Sequence, residues 1–256
     1  NSNTSGMRNT AIGNQSLYFN TTGFDNVSIG HQSLYRNTTG NSNTGVGSLS
    51  LSFNTTGEGN TSVGASSLTS NTSGINNTAI GTLSLYTNVY NSGSTAIGYG
   101  AMRYWGSLTG MGNEESECTA IGFESLRGIS GLNNTGMSNT AIGYKSLYSN
   151  SEGYLNTAVG VRSLYLNSTG FYNTACGSFS LYFNTAGNSN TAIGSHALFD
   201  NTTGGFNTAC GSRALYSNTT GLANTANGAG ALVFNTTGNF NVAIGVEALY
   251  FNTQGS

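Results

Sequence analysis

The side chains that could do acid–base, nucleophilic or metal chemistry are few and scattered. The 256-residue chain has two histidines, His31 and His196, three cysteines and nine acidic residues. A catalytic triad or a metal centre needs several such groups held within bonding distance of one another. No Ser-His-Asp set, phosphate-binding glycine loop or metal-ligand pattern is recognisable. We therefore expect that the protein is not an enzyme and that it holds no cofactor or metal.

The dominant feature of the chain is a tandem repeat with the consensus N-T-A-I-G-x-x-S-L-Y-x-N-T-T-G-x-x. Eleven of the thirteen spacings between its frame glycines are 17 residues, and the other two are 24 and 21. Repeats of this kind indicate stacked structural units. We interpret residues 1–256 as a single domain whose expanded coils lie at 99–142. The frame glycines are Gly13, Gly30, Gly47, Gly64, Gly81, Gly98, Gly122, Gly143, Gly160, Gly177, Gly194, Gly211, Gly228 and Gly245.

The period of the repeat predicts an all-β parallel β-solenoid of about fourteen coils, with an expanded pair in the middle. Seventeen residues are too few for a helical repeat, but they suit two short strands and two turns. Side-chain alternation in Thr-Ala-Ile puts Thr and Ile on one face and Ala on the other. We expect Ile and Leu to point inward, with Thr beside Ile, and the asparagine columns to form amide ladders between coils.

The cysteines in this frame do not suggest disulfides. Cys176 and Cys210 replace Ile two coils apart, about 9.6 Å at the usual strand spacing, which is too far for a bridge. We expect both to behave as small inward-facing apolar residues.

One column, five residues after the frame glycine, is mostly aromatic and has two interpretations. The rings could be buried against another protomer, or they could form an exposed stripe that stacks on sugars. The candidate stripe consists of Tyr18, Tyr35, Tyr86, Tyr148, Tyr165, Tyr182, Phe199, Tyr216 and Tyr250.

One asparagine column carries the N-glycosylation pattern Asn-x-Ser/Thr. The simpler interpretation is that Asn-Thr-Thr is the turn sequence and that these amides form a buried ladder, which would exclude glycans. The candidate glycosylation residues are Asn20, Asn37, Asn54, Asn71, Asn167, Asn201, Asn218 and Asn235.

The expanded coils are the place where the sequence departs most from its repeat. They hold the only tryptophan and four of the nine acidic residues. Two arginines replace the aromatic residue in adjacent coils, where like charges repel. We expect the glutamates of the inserted loop to fold over these arginines. The candidate interaction loop consists of Arg103, Trp105, Glu114, Glu115, Glu117 and Arg127.

Composition narrows the range of partners. Only 6% of the residues are charged, against roughly 25% in an ordinary domain. Seven scattered Lys and Arg residues predict no binding to nucleic acid, and no apolar run approaches the ~18 residues that span a membrane. Because the sequence begins and ends within a coil, we expect unpaired strand edges. These edges predict self-association, head-to-tail or as a trimer.

The string NTAIGxxSLYxNTTG resembles the tandem repeats of phage-type and bacterial tail-fibre or surface-adhesin proteins and of chlorovirus cell-wall-attachment proteins. More remotely, Asn-Thr-Ala-Ile-Gly resembles the coil of trimeric autotransporter adhesin heads. The resemblance implies a left-handed parallel β-roll located on a cell or virion surface, and it covers nearly the whole chain outside 103–118.

Three functional hypotheses follow. The first is a structural segment of an extracellular fibre. The second is a receptor-binding fibre that recognises cell-surface glycans through the aromatic stripe or the expanded coils. The third is ice binding by flat threonine arrays such as Thr10, Thr44, Thr61 and Thr78, which an inward orientation of Thr would argue against.

Overall fold

The protein is an all-β parallel β-solenoid in which each coil contributes one short strand. The computed structural model describes residues 2–106, 115–132 and 134–255, and these residues contain no helix. They fall into two compact units, 1–135 and 136–256. The first unit holds β1 (Thr10–Ile12), β2 (Val27–Ile29), β3 (Thr44–Val46), β4 (Thr61–Val63), β5 (Thr78–Ile80), β6 (Thr95–Ile97) and β7 (Thr119–Ile121); the second holds β8 (Thr140–Ile142), β9 (Thr157–Val159), β10 (Thr174–Cys176), β11 (Thr191–Ile193), β12 (Thr208–Cys210), β13 (Thr225–Asn227) and β14 (Val242–Ile244).

Within each unit the strands pair in parallel, in chain order, and every column of the repeat stays in register. In the first unit Thr61 faces Thr78 and Val63 faces Ile80. In the second unit Thr174 of β10 faces Thr191 of β11. The predicted fold class and the 17-residue coil are therefore confirmed.

The middle residue of each strand points inward and Ile points outward, so the prediction that Ile faces the interior is wrong. The middle position is Ala in most coils and is buried, as at Ala79 and Ala192, whereas Ile80 is 38% exposed. The interior is narrow at this point. At Gly45, which replaces Ala, an added Cβ would lie only 2.6 Å from the Ser33 hydroxyl. Only small residues fit inside the strand, so Ile and Thr must face outward.

The Ser-Leu-Tyr segment forms a turn, so the predicted second strand is wrong. Leu points inward as expected, and Leu34 is fully buried. The preceding Ser33 is buried as well, and its hydroxyl donates to the carbonyl of Gly45. Leu34 has a φ of 47°, in the left-handed region that non-glycine residues seldom occupy. This backbone turns both Ser and Leu into the interior, which a strand could not do.

Two asparagine ladders hold successive coils together. In the first ladder, seven residues after the frame glycine, Nδ2 of Asn54 donates to Oδ1 of Asn37 (2.8 Å) and to the carbonyl of Gly57 (2.9 Å). In the second ladder, four residues before it, the backbone N–H and Nδ2 of Asn60 both donate to Oδ1 of Asn43. These side chains are buried with their polar atoms paired, so the predicted amide ladders are confirmed.

The frame glycines are required by backbone contact between coils. Gly47 has a φ of 131°, and an added Cβ would lie 2.6 Å from the carbonyl oxygen of Gly64. No real Cβ approaches a backbone oxygen so closely, and the same contact recurs in the following coil at Gly64.

Both ladders stop in the expanded part of the first unit, which we call the interrupted coils (residues 94–134). Ser94 and Cys118 occupy positions of the second ladder, and Trp105 and Ile129 occupy positions of the first. Trp105 is fully buried. Asn134 binds this region together, since its Nδ2 donates to the carbonyl of Tyr104 (2.6 Å).

Candidate functional site

The most extensive surface of the repeat is a flat outward face, which we call the Thr/Ile face: the first and third residues of every strand. Its exposed members include Ile80 (38%) and Ile193 (44%). None of the side chains in these two columns is charged. Because the strands pair in exact register, the face repeats at about 4.8 Å per coil within each unit. Ordered apolar surface of this kind is unusual on a protein that exposes it to water.

Two expectations change because the Thr/Ile face points outward. Thr61 and Thr78 lie on the surface side of the strand, so the argument that threonine is buried beside Ile was wrong. Cys176 is exposed and Cys210 is partly exposed, whereas Cys118 is buried. Cys176 and Cys210 therefore lie on the solvent side of the sheet and are not core residues.

The aromatic stripe forms a stack along the second unit. Ring centroids are 5.1 Å apart for Tyr148 and Tyr165 and 5.1 Å apart for Tyr165 and Tyr182, with interplanar angles of 10° and 7°. The stack continues through Phe199 to Tyr216, at 5.3 and 5.1 Å. These rings are half-buried by one another within the chain.

Stacking limits what the stripe can bind. Tyr165, Tyr182 and Phe199 have a neighbouring ring on each face, so a sugar reaches only their edges. In the first unit Tyr18 and Tyr35 stack at 5.9 Å and 25°, and Tyr86 is half-buried. Ring faces without an aromatic neighbour occur where the column changes residue type, as at Val233 between Tyr216 and Tyr250.

The glycosylation candidates lie inside the first asparagine ladder. Asn20, Asn37, Asn54, Asn71, Asn167, Asn201, Asn218 and Asn235 are all fully buried. Nδ2, the atom to which a glycan would be attached, donates two hydrogen bonds in each. Glycosylation of this column is therefore incompatible with the folded coil.

The candidate interaction loop is only partly described, since Glu114 lies outside the described residues. Arg103 and Arg127 both lie over the ring of Tyr104, at 5.1 and 4.7 Å. A carboxylate of the same coil, that of Glu124, lies 3.2 Å from Nε of Arg127. Within the described residues, the Tyr104 ring and Glu124 thus stabilise these guanidinium groups; the predicted contact of the loop glutamates involves Glu114 and stays a prediction.

The remaining loop candidates contribute structure. Glu115 and Glu117 are exposed, and Glu115 forms a parallel backbone bridge with Ser92. Trp105 is fully buried, so its ring has no surface to offer a ligand.

Two acidic residues have displaced pKa values, with opposite causes. The hydrogen bond and charge of Arg8, whose Nε lies 2.5 Å from Oδ1 of Asp25, lower the pKa of Asp25 despite slight desolvation. Partial burial raises the pKa of Asp200. The described residues contain no cluster of three or more His, Cys, Asp or Glu that could hold a metal ion.

The histidines are separate from each other. His31 is exposed, and His196 stacks on Phe179 at 5.1 Å while its Nδ1 lies 2.8 Å from the Ser195 hydroxyl. No helix long and apolar enough to span a bilayer occurs in the described part of the chain.

Comparison with known proteins gives no family assignment. No protein-family model matches the chain, and no curated protein matches it in sequence.

Proposed function

We propose that this chain is a structural segment of an extracellular fibre, in which copies of the solenoid join through the Thr/Ile face. The observation that carries the proposal is the outward, uncharged column of Ile and Val that runs along both units. Burying this column against a second copy removes apolar surface from water, and the absence of charge means that two identical faces do not repel each other.

The size of the face determines how many coils must take part in such a contact. Three residues at about 3.3 Å and strands at about 4.8 Å give roughly 48 Å² per strand. The seven strands of one unit therefore offer on the order of 340 Å², a little under half of the ~800 Å² per partner of a stable interface. Lateral joining therefore requires many coils to engage at once.

The ladders supply the second property that a fibre segment needs, which is resistance to local opening. Each regular coil is joined to the next by strand pairing and by two rows of buried side-chain hydrogen bonds. Buried hydrogen-bond networks of this kind strengthen one another in a low-dielectric interior. Head-to-tail stacking of copies uses the same pairing and belongs to the same proposal.

Charge placed on the Thr/Ile face tests the proposal directly. A chain with Ile80→Glu and Ile142→Glu carries one new carboxylate on the face of each unit. Its matched control, Phe53→Glu with Phe183→Glu, changes exposed side chains away from the face. Sedimentation velocity and electron microscopy should show lateral assembly for the wild type and the control, and single solenoids for the Ile variant. Wild-type chains that stay single at high concentration, or equal assembly of both variants, would refute it.

Ice binding is a second candidate because the threonine column faces outward. Twelve of the fourteen strands begin with Thr and the other two with Val27 and Val242, which makes a flat and regular array of hydroxyl and methyl groups. Thermal hysteresis and inhibition of ice recrystallisation measure this activity. It should be present in single solenoids and lost in Thr61→Tyr with Thr78→Tyr, which breaks the flatness; activity unchanged by these substitutions would exclude the Thr/Ile face.

A glycan-binding receptor role remains the third candidate. The stacked rings make the stripe a weaker support for it than the sequence suggested, and buried Trp105 gives it none. A glycan array with Tyr148→Ser and Tyr216→Ser variants tests it.

A further inference from the structure

The aromatic stack of the second unit lacks a ring at the coil of Gly228, where Val233 stands in the aromatic column. We call this position the missing rung. Three neighbouring positions of this coil carry small side chains, whereas the coils on either side carry larger ones. A notch of about 550 Å³ opens there. Its lining includes Arg213, Tyr216, Gly230, Val233, Glu247 and Tyr250.

The geometry of the notch follows from the spacing of the stack. Phe199 covers one face of Tyr216, with ring centroids 5.1 Å apart. The next residue in the column is Val233, and the ring after it is Tyr250. Two coil spacings, about 9.6 Å, separate the positions of Tyr216 and Tyr250. This gap accommodates one flat ring at the same distance that separates the rings of the stack.

Gly230 opens the notch on its second side. The position has a φ of 68°, and elsewhere the column holds side chains such as Arg213 and Glu247. A Cβ added at Gly230 would lie 3.3 Å from Cγ of Glu247 and 3.6 Å from Cε2 of Tyr250. These two side chains therefore stand over the bare backbone of the coil and form one wall.

The notch also has charged side chains in its lining. Arg213 belongs to the coil before the missing rung and Glu247 to the coil after it. A guanidinium donates hydrogen bonds, and a carboxylate accepts them. A cleft of this volume that combines aromatic and aliphatic side chains with a few polar groups is the usual form of a small-molecule site.

We propose that this notch binds a single planar aromatic ring with a polar substituent, of the phenol or indole type, which takes the place of the missing rung. The spacing between Tyr216 and Tyr250 suits offset stacking of one flat ring between them. A puckered sugar ring is thicker than a phenyl ring and fits this spacing less well. The proposed occupant is a free small molecule. The proposal is independent of the fibre role.

Fluorine NMR with para-fluorophenol as the probe tests the proposal on the intact chain. The key variant is Val233→Tyr, which restores the consensus residue and fills the notch, so folding is preserved. Its matched control, Ser52→Tyr, restores the consensus aromatic residue in the first unit and leaves the notch open. Tyr216→Ala removes one wall without filling the space.

The probe signal should broaden with the wild type and with Ser52→Tyr, and stay sharp with Val233→Tyr. Tyr216→Ala should weaken binding about tenfold, because one stacking partner is lost. Unlabelled indole should displace the probe, because it presents a flat aromatic ring of the same kind. Binding that survives Val233→Tyr would overturn the proposal. So would the absence of broadening with the wild type, or displacement of the probe by methyl glucoside at concentrations where indole has no effect.

Discussion

The regular coils and the interrupted coils hold their backbones in different ways. In the regular coils each asparagine bonds to its own counterpart one coil away, as Asn54 does to Asn37. In the interrupted coils Asn134 reaches Tyr104 and two carbonyls of its own loop instead. A ladder needs the same residue in consecutive coils, so replacing one member removes bonds from both neighbours. The difference teaches that regularity itself is a source of stability here.

Close packing shows the same contrast. The frame glycines from Gly13 to Gly98 and from Gly143 to Gly228 face backbone atoms of the next coil, whereas an added Cβ at Gly131, in the interrupted coils, meets nothing within 4 Å. Room for a side chain is therefore local to Gly131, since an added Cβ at Gly98, also in the interrupted coils, would lie 2.5 Å from the Gly122 oxygen.

The largest expected effect comes from substituting a frame glycine. Gly47→Ala places a Cβ 2.6 Å from the Gly64 oxygen and should destabilise the first unit by roughly 4 kcal/mol or more. The matched change Gly131→Ala meets no neighbour and should cost about 1 kcal/mol, from the positive φ alone. Denaturant unfolding of both variants measures the difference, and equal losses would contradict the contrast between the two regions.

Breaking the first ladder should have the next largest effect. Asn54→Ala removes three side-chain hydrogen bonds, so we expect a loss of about 3 kcal/mol. Asn88→Ala, where the ladder meets Trp105, removes two, because the described residues supply no donor to Oδ1 of Asn88. It should cost about 2 kcal/mol. Chemical denaturation monitored by circular dichroism distinguishes the two, and a larger loss for Asn88→Ala would argue against ladder continuity.

A smaller gain is expected where a regular coil holds a polar residue in the left-handed region. Ser66 has a φ of 54°, and the same column holds glycine at Gly100 and Gly230. Ser66→Gly should stabilise the chain by up to about 1 kcal/mol, because glycine adopts this conformation without strain. Thermal unfolding checks the sign. Ser67→Gly, next to it and at negative φ, should instead lower the melting temperature.

The smallest expected effects are pH-dependent and opposite in sign at the two displaced carboxyls. The raised pKa of Asp200 means that its protonated form favours the folded state. The contribution of Asp200 to the free energy of unfolding therefore becomes more favourable as the pH falls and is lost as the pH rises through the folded pKa. Asp200→Asn should therefore raise the melting temperature at neutral pH and have little effect in acid.

Asp25 provides the control for this prediction. Because its pKa is lowered, the Asp25 carboxylate contributes to the free energy of unfolding at neutral pH, and this contribution is lost as the pH falls through the folded pKa. Asp25→Asn should lower the melting temperature slightly at neutral pH, since the pair with Arg8 is exposed. The same direction of change for both variants would contradict the assigned causes.

The repeat period, the parallel coil, the inward Leu and the asparagine ladders could be predicted from the sequence, because each is a property of one column. Which face of the strand points inward could not be predicted, since side-chain alternation puts Thr and Ile on the same face but does not say whether that face is buried. The more apolar Thr/Ile side was expected to be the buried one. The overlooked signal was size: the middle position is only Ala, Ser or Gly, as at Ser62 and Gly45, whereas the Ile column admits Asn227.

The candidate sites divide in the same way. The burial of the sequons followed from the ladder interpretation. The burial of Trp105 and the stacking within the aromatic stripe depend on how coils meet in space. The notch at the coil of Gly228 leaves a trace in the sequence, since Val233 interrupts the aromatic column and Gly230 lies in the same coil.

Alkylation of the native cysteines tests the central claim most directly, because it needs no substitution. Cys176 and Cys210 lie on the Thr/Ile face, and Cys118 is buried. Mass spectrometry of the dilute folded chain should show rapid labelling of Cys176 and slower labelling of Cys210, with Cys118 unmodified. In the assembled fibre both face cysteines should become protected. Cys176 labelling as fast in the fibre as in the dilute chain would contradict joining through this face.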